Sequence, residues 1–254
     1  FDSHIYSDIS EYFWQIFRLT LFPLIETGLL FKESNLAGWK PTSPFVPREG
    51  EVIARKMSEK SAEKYPVRSF DEEWYTSQMG VFFKECLKSL KTDGVLLTWF
   101  THRSLEAWKA IVSALYAGGF YVTKIWPVTS ELLSRLVGKM NNSALNKTLI
   151  IVARKRVEEE ISENKLKDYA INLMKEMCDV LAEMGATESE LRTFSRAAAM
   201  CAVTIAPLPK DASTSIQHCK SELIPLSVKL AEEMFPTLCK RFSQGHPGTI
   251  EKFL

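Results

Sequence analysis

The sequence predicts an α/β fold, with a sheet-bearing part over residues 1–156 followed by an all-helical extension over 157–254. Three observations predict it. Val95-Leu96-Leu97-Thr98-Trp99-Phe100 is a short, almost wholly apolar run, as a strand buried on both faces requires. A helical stretch then ends at Gly118-Gly119, and residues 120–127 and 148–153 read as two further strands. Beyond Arg156 the apolar residues recur at helical spacing only.

In chain order, Ile9, Phe13, Phe17 and Leu21 mark a helix over about 7–22, halted by Pro23, with a shorter apolar turn through Leu30. Residues 32–68 carry Pro41, Pro44, Pro47 and Pro66 and a dense run of charge, so the expectation is a solvated loop or a substrate-contacting one. Ser69-Phe70-Asp71-Glu72 has the form of a capping box. It opens a helix whose face holds Trp74, Tyr75, Met79, Phe82, Phe83, Cys86, Leu87 and Leu90. A turn at Lys91-Thr92-Asp93-Gly94 leads into the first strand. The next helix opens at Thr101-His102-Arg103-Ser104 and aligns Leu105, Trp108, Ile111, Val112 and Leu115 on one face. The extension reads as three helices. One covers about 158–184, closed by Gly185, and a second runs to about Ile205 from the capping box Thr187-Glu188-Ser189-Glu190. The last covers about 221–242, with Pro225 in its first turn and a kink at Pro236.

At 254 residues and 46% apolar the chain can bury a large core, and a net charge of +1 gives no global argument for a polyanionic partner. Residues 1–155 hold 20 Lys and Arg against 16 Asp and Glu, and residues 156–254 hold 12 against 15, so any basic face is local. Cys86, Cys178, Cys201, Cys219 and Cys239 are scattered without paired spacing, which favours reduced thiols and a cytoplasmic protein over a disulfide framework or a zinc site. No apolar run reaches the roughly 20 residues of a membrane span. The chain opens at Phe1 without an initiator methionine, which points to a trimmed, processed or partial chain.

The sequence resembles a known family in several places. Phe1-Asp2-Ser3-His4-Ile5-Tyr6-Ser7-Asp8-Ile9-Ser10-Glu11-Tyr12-Phe13-Trp14 resembles the segment that follows the Asp-Pro-Pro-Tyr motif of adenine-specific DNA methylases. Trp99-Phe100-Thr101-His102-Arg103-Ser104 with Trp108, Gly118-Gly119-Phe120 through Trp126-Pro127-Val128, and Ser143-Ala144-Leu145 agree in order. The resemblance covers about 1–156. It implies a class I S-adenosylmethionine-dependent methyltransferase, and specifically the C-terminal half of its Rossmann-like sheet. Asp-Pro-Pro-Tyr and the glycine-rich cofactor loop are both absent from this sequence, and the one glycine pair, Gly118-Gly119, follows a helix instead of a strand. The implied activity is methyl transfer from S-adenosylmethionine to the exocyclic amino group of adenine in DNA, inactive without the N-terminal half. Two alternatives stay open: a non-catalytic DNA- or partner-binding module derived from a methyltransferase, and a class I methyltransferase acting on RNA or protein.

On this alignment no catalytic residue lies in the chain, and the substrate and cofactor rim comprises Phe1, Asp2, Tyr6, Ser7, Asp8, Thr101, His102 and Arg103. Tyr6 suits a base pocket because it pairs an aromatic face with a polar tip; core packing is the plainer role. Ser7 and Asp8 serve equally well as helix caps. His102 has the chemistry of an acid or base but also that of a cap, and Arg103 suits a phosphate as well as it suits solvent. Arg135, Lys139, Asn141, Asn142 and Lys147 belong to a polar loop free of aromatics, which favours contact with a nucleic-acid backbone over base stacking. The expected partners are DNA, together with the missing half or a second copy across an open sheet edge; a membrane is not among them.

Overall fold

The computed structural model describes residues 6–27, 52, 72–129, 147–156 and 161–245. The chain divides into two compact units, Phe1–Tyr75 and Thr76–Leu254. The expected loop over 32–68 and the box residue Ser69 lie outside the described residues, apart from Val52.

In the first unit, α1 (Tyr6–Thr20) is followed at Leu21 by a short α2 (Phe22–Glu26). Pro23 begins this second helix instead of ending the first. Its missing N–H falls in a first turn, where that donor has no intrahelical partner anyway. Trp14 and Phe22 meet edge to face at 5.3 Å, fixing the angle between the two helices.

The second unit is a mixed α/β fold around a three-stranded sheet. After α3 (Glu72–Ser89) come β1 (Val95–Phe100), α4 (Leu105–Ala117), β2 (Phe120–Thr129) and β3 (Lys147–Lys155). The strand order is β1-β3-β2, with β3 antiparallel to both neighbours. β1 and β2 therefore run parallel, joined by the α4 crossover, and the last strand inserts between them. A bulge between Val122 and Lys124 shifts the register, so that Val122, Ile125 and Pro127 all sit on the core face opposite Ala153, Ile151 and Leu149.

The glycine pair is explained by its surroundings. Gly119 has φ +85°, the left-handed conformation that ends α4. At Gly118 a Cβ would lie 2.5 Å from the Cβ of Phe83, so the first glycine is there to let α3 pass close by. Phe83 then meets Phe120 edge to face across that turn.

The helical part follows as α5 (Glu163–Glu183), capped by Ser162, and α6 (Glu188–Ala202), which opens on the expected capping box of Thr187 and Glu190. After 3-10 turns at Val203–Ile205 and Ala212–Thr214 comes a single helical run. This is α7 (Ser215–His218), a π turn over Cys219–Leu223 and α8 (Ile224–Gly245). The last helix thus begins before the expected Ser221. Pro225 follows the π turn, in which the Ile224 N–H bonds the Cys219 carbonyl five residues back.

The division expected at 156/157 is not a break in packing. Trp108, Ile111 and Leu115 of α4, Phe120, Leu149 and Ile151 of the sheet, and Met174, Met177, Phe194 and Leu238 of the later helices form one buried cluster. The helices are the other half of the sheet's core, and the compact unit begins at Thr76. β1 also departs from expectation. Leu96 and Phe100 pack toward the core, but Val95, Leu97 and Trp99 are 39%, 47% and 61% exposed, because nothing among the described residues covers that face.

Candidate functional site

The carboxyl ends of β1 and β2 meet the start of β3 at one end of the sheet. Phe100 lies opposite Leu149, and Thr129 lies opposite Lys147. Thr129 and Lys147, the residues that flank 130–146, therefore lie at the same end of the sheet as the turn 101–104, the side where open α/β sheets bind ligands. The loop residues Arg135, Lys139, Asn141 and Asn142 lie outside the described residues, as do Phe1 and Asp2. Tyr6, Ser7 and Asp8 occupy the first turn of α1 in the other unit, and their side chains are also outside the described residues.

The turn itself is tightly used. Thr101 Oγ1 donates to the Lys147 carbonyl at 3.0 Å, fastening β1's end to β3's beginning. His102 Nδ1 accepts the Ser104 N–H at 2.9 Å, and the His102 carbonyl accepts Trp108 Nε1 at 2.8 Å. With Nδ1 accepting, Nε2 is the ring nitrogen that can donate. Ser104 Oγ accepts the Glu106 N–H and is the N-cap of α4. His102 thus organises a helix start, one of the two roles its sequence position allowed. Arg103 is exposed and has no ion-pair partner among the described residues, leaving its guanidinium available to an anion.

Lys147 is placed otherwise than expected. Its side chain is 8% exposed and its ammonium is 3.1 Å from Glu190 Oε2, itself 6% exposed. The same carboxylate oxygen accepts the Thr187 N–H at 2.9 Å to complete the capping box. Lys147 is therefore a buried counter-charge joining β3 to the start of α6, and it does not reach out to a phosphate. Its letter gave no sign of this, since the partner lies 43 residues away.

A cofactor cradle of the implied kind needs a glycine-rich turn between a strand and a helix, with free backbone N–H groups. The strand-to-helix turn among the described residues is 101–104; it contains no glycine, and the Ser104 N–H is already taken by His102. These residues do not fit S-adenosylmethionine, and no chemical step is assigned to them through it.

A second cluster lies at the opposite end of the sheet. Arg156 is half-buried under carbonyl groups, donating through its guanidinium to the oxygens of Phe120, Thr204 and Ala206. Its Cζ lies 4.9 Å from the Tyr116 ring centroid, and Tyr116 donates its hydroxyl to the Pro207 carbonyl. Burial pushes the Tyr116 hydroxyl up to about 12 despite the opposing charge of Arg156. These groups bind the sheet to the helical part. Among the described residues no three His, Cys, Asp or Glu side chains are grouped to hold a metal ion, and no helix is long and apolar enough to cross a membrane. No family model, curated protein or solved structure matches the chain.

Proposed function

We propose that the chain is a portion of a class I S-adenosylmethionine-dependent methyltransferase acting on the exocyclic amino group of adenine in DNA. It supplies the closing strands of the sheet and part of the substrate rim. The observation that supports this reading is the strand order, in which a final strand is inserted antiparallel between two parallel strands linked by a helical crossover. Class I methyltransferase sheets finish in this way, and two of the stretches that resemble adenine-specific methylases, 99–104 and 118–128, fall on β1, β2 and their turns.

A second support is the clustering at one end of Thr101, His102, Arg103, Thr129 and Lys147. In this reading Arg103 contacts a phosphate of the DNA backbone and His102 shapes the turn that presents it. The target adenine is flipped out of the stack at a cost of a few kcal/mol, and positioning supplies most of the catalysis. Motif and cofactor loop are contributed by polypeptide other than these residues, so the chain alone is inactive.

Calorimetric titration of the chain with S-adenosylmethionine tests the division of labour. The expected result is no saturable heat, with any affinity weaker than about 1 mM. Micromolar binding would place the cofactor site within this chain and overturn the assignment. Duplex DNA and RNA as alternative substrates of the joined protein separate the adenine-DNA reading from a methyltransferase of RNA.

A further inference from the structure

A cavity of about 260 Å³ opens in the helical part, between the first two turns of α5 and the first three of α8. Leu166 and Ala170 line it from one face of α5, Val203 from the 3-10 turn, and Leu223 and Leu230 from the other side. The side chains at its base are short. Ala170 and Ala202 form a minor buried cluster with Leu173, and Leu230 packs on it. Leu223 reaches the wall as the last residue of the π turn, and π turns within helices are frequent at functional sites.

The polar groups of the lining are engaged. Ser227, 5% exposed, donates its hydroxyl to the Ile224 carbonyl at 2.8 Å. Among the described residues, none of the buried side-chain atoms left without a hydrogen-bond partner belongs to the lining. At the mouth Lys167 lies 3.4 Å from Glu163, and Lys229 lies 3.9 Å from Glu233. Each helix thus brings one positive and one negative charge, and the two cancel.

We propose that this cavity binds a small uncharged apolar molecule, the size of one or two fused rings. Volume and charge select that class. An apolar cavity of about 150 Å³ already binds benzene, so the larger space here accommodates a second ring. A helix of a partner protein, about 10 Å across with its side chains, is too wide to enter it. A lining without an unpaired donor or acceptor gives water nothing to hold. An acid or a base would leave water for a mouth whose opposite charge is already paired, so a neutral ligand is favoured over either. The bound rings lie against Leu166, Val203, Leu223 and Leu230, between the charged pairs at the mouth.

Titration of the full chain with naphthalene, followed by methyl NMR, tests this. The expected result is saturable shifts at the methyl groups of Leu166, Val203, Leu223 and Leu230, with a Kd of about 0.1–1 mM. The charged analogues 2-naphthoate and 2-naphthylmethylammonium should bind about tenfold more weakly. Ala170→Leu and, separately, Ser227→Leu fill the space from opposite helices and should each abolish saturation; circular dichroism checks that each variant folds. No saturable shift with naphthalene overturns the proposal, as do shifts centred on residues outside the lining. Binding of 2-naphthoate as tight as that of naphthalene overturns the uncharged class, and a folded variant that binds as the parent does overturns the site. None of these outcomes depends on methyl transfer, so this proposal and the functional reading fail separately.

Discussion

At Lys147 an ammonium is held out of water by one carboxylate, that of Glu190, at 3.1 Å. Such a pair contributes little net stability, yet removing one partner strands a buried charge and costs about 3–5 kcal/mol. Lys147→Met should therefore destabilise the chain by about that much in urea unfolding. Adding Glu190→Gln should recover most of the loss, because glutamine still serves a capping box. On the proposed function, DNA affinity should not respond to the buried lysine, whereas Arg103→Ala should weaken binding by the joined protein and lower its salt dependence by about one phosphate contact. His102→Ala removes an acceptor from the start of α4 and should cost about 1 kcal/mol by the same unfolding measurement. A rate that collapses while stability holds would instead make His102 a chemical participant.

The elements show where local signals suffice. Gly119 and the Thr187–Glu190 box mark helix ends that the sequence announces, because a left-handed residue and a reciprocal cap are local chemistry. Pro23 was read as the stop of the first helix where it opens the second, since a proline that stops a helix and one that starts it carry the same letter until the neighbouring turn is known, whereas Pro225 falls in the first turn of α8 as expected. The exposed face of β1 was not legible either. An apolar hexapeptide predicts burial on two faces, and whether a second layer covers it is a property of the rest of the molecule. The insertion of β3 between β1 and β2 is likewise non-local, although the two apolar runs that it joins were evident. On β2, Tyr169→Phe should leave the Val122 carbonyl without its donor and cost about 1–3 kcal/mol, read as a lowered urea midpoint.

At the scale of the whole second unit, sheet and helices share a core, so residues 76–156 produced alone should expose Phe120, Leu149 and Ile151 and aggregate in place of folding. The five cysteines are free, and burial pushes the Cys178 thiol up to about 11 and that of Cys219 up to about 12 from an ordinary 9.0. Tyr116 and Tyr169 rise to about 12 from 10.0 for the same reason. Each of these groups is neutral when protonated, so the folded chain keeps protons that the unfolded chain releases. The contribution of these groups to stability should be level up to about pH 9 and fall as pH rises from there toward 12, followed by the urea midpoint. The native thiols should also react slowly with a thiol reagent until the chain unfolds.

The proposed division of a methyltransferase between this sheet and a motif supplied elsewhere is tested most directly by methyl transfer. The chain is assayed alone and joined to the polypeptide encoded directly upstream of Phe1, with labelled S-adenosylmethionine and duplex DNA. The predicted result is label on the amino group of adenine in the joined protein and none with the chain alone. Transfer by the chain alone, or none to DNA by the joined protein, would contradict it.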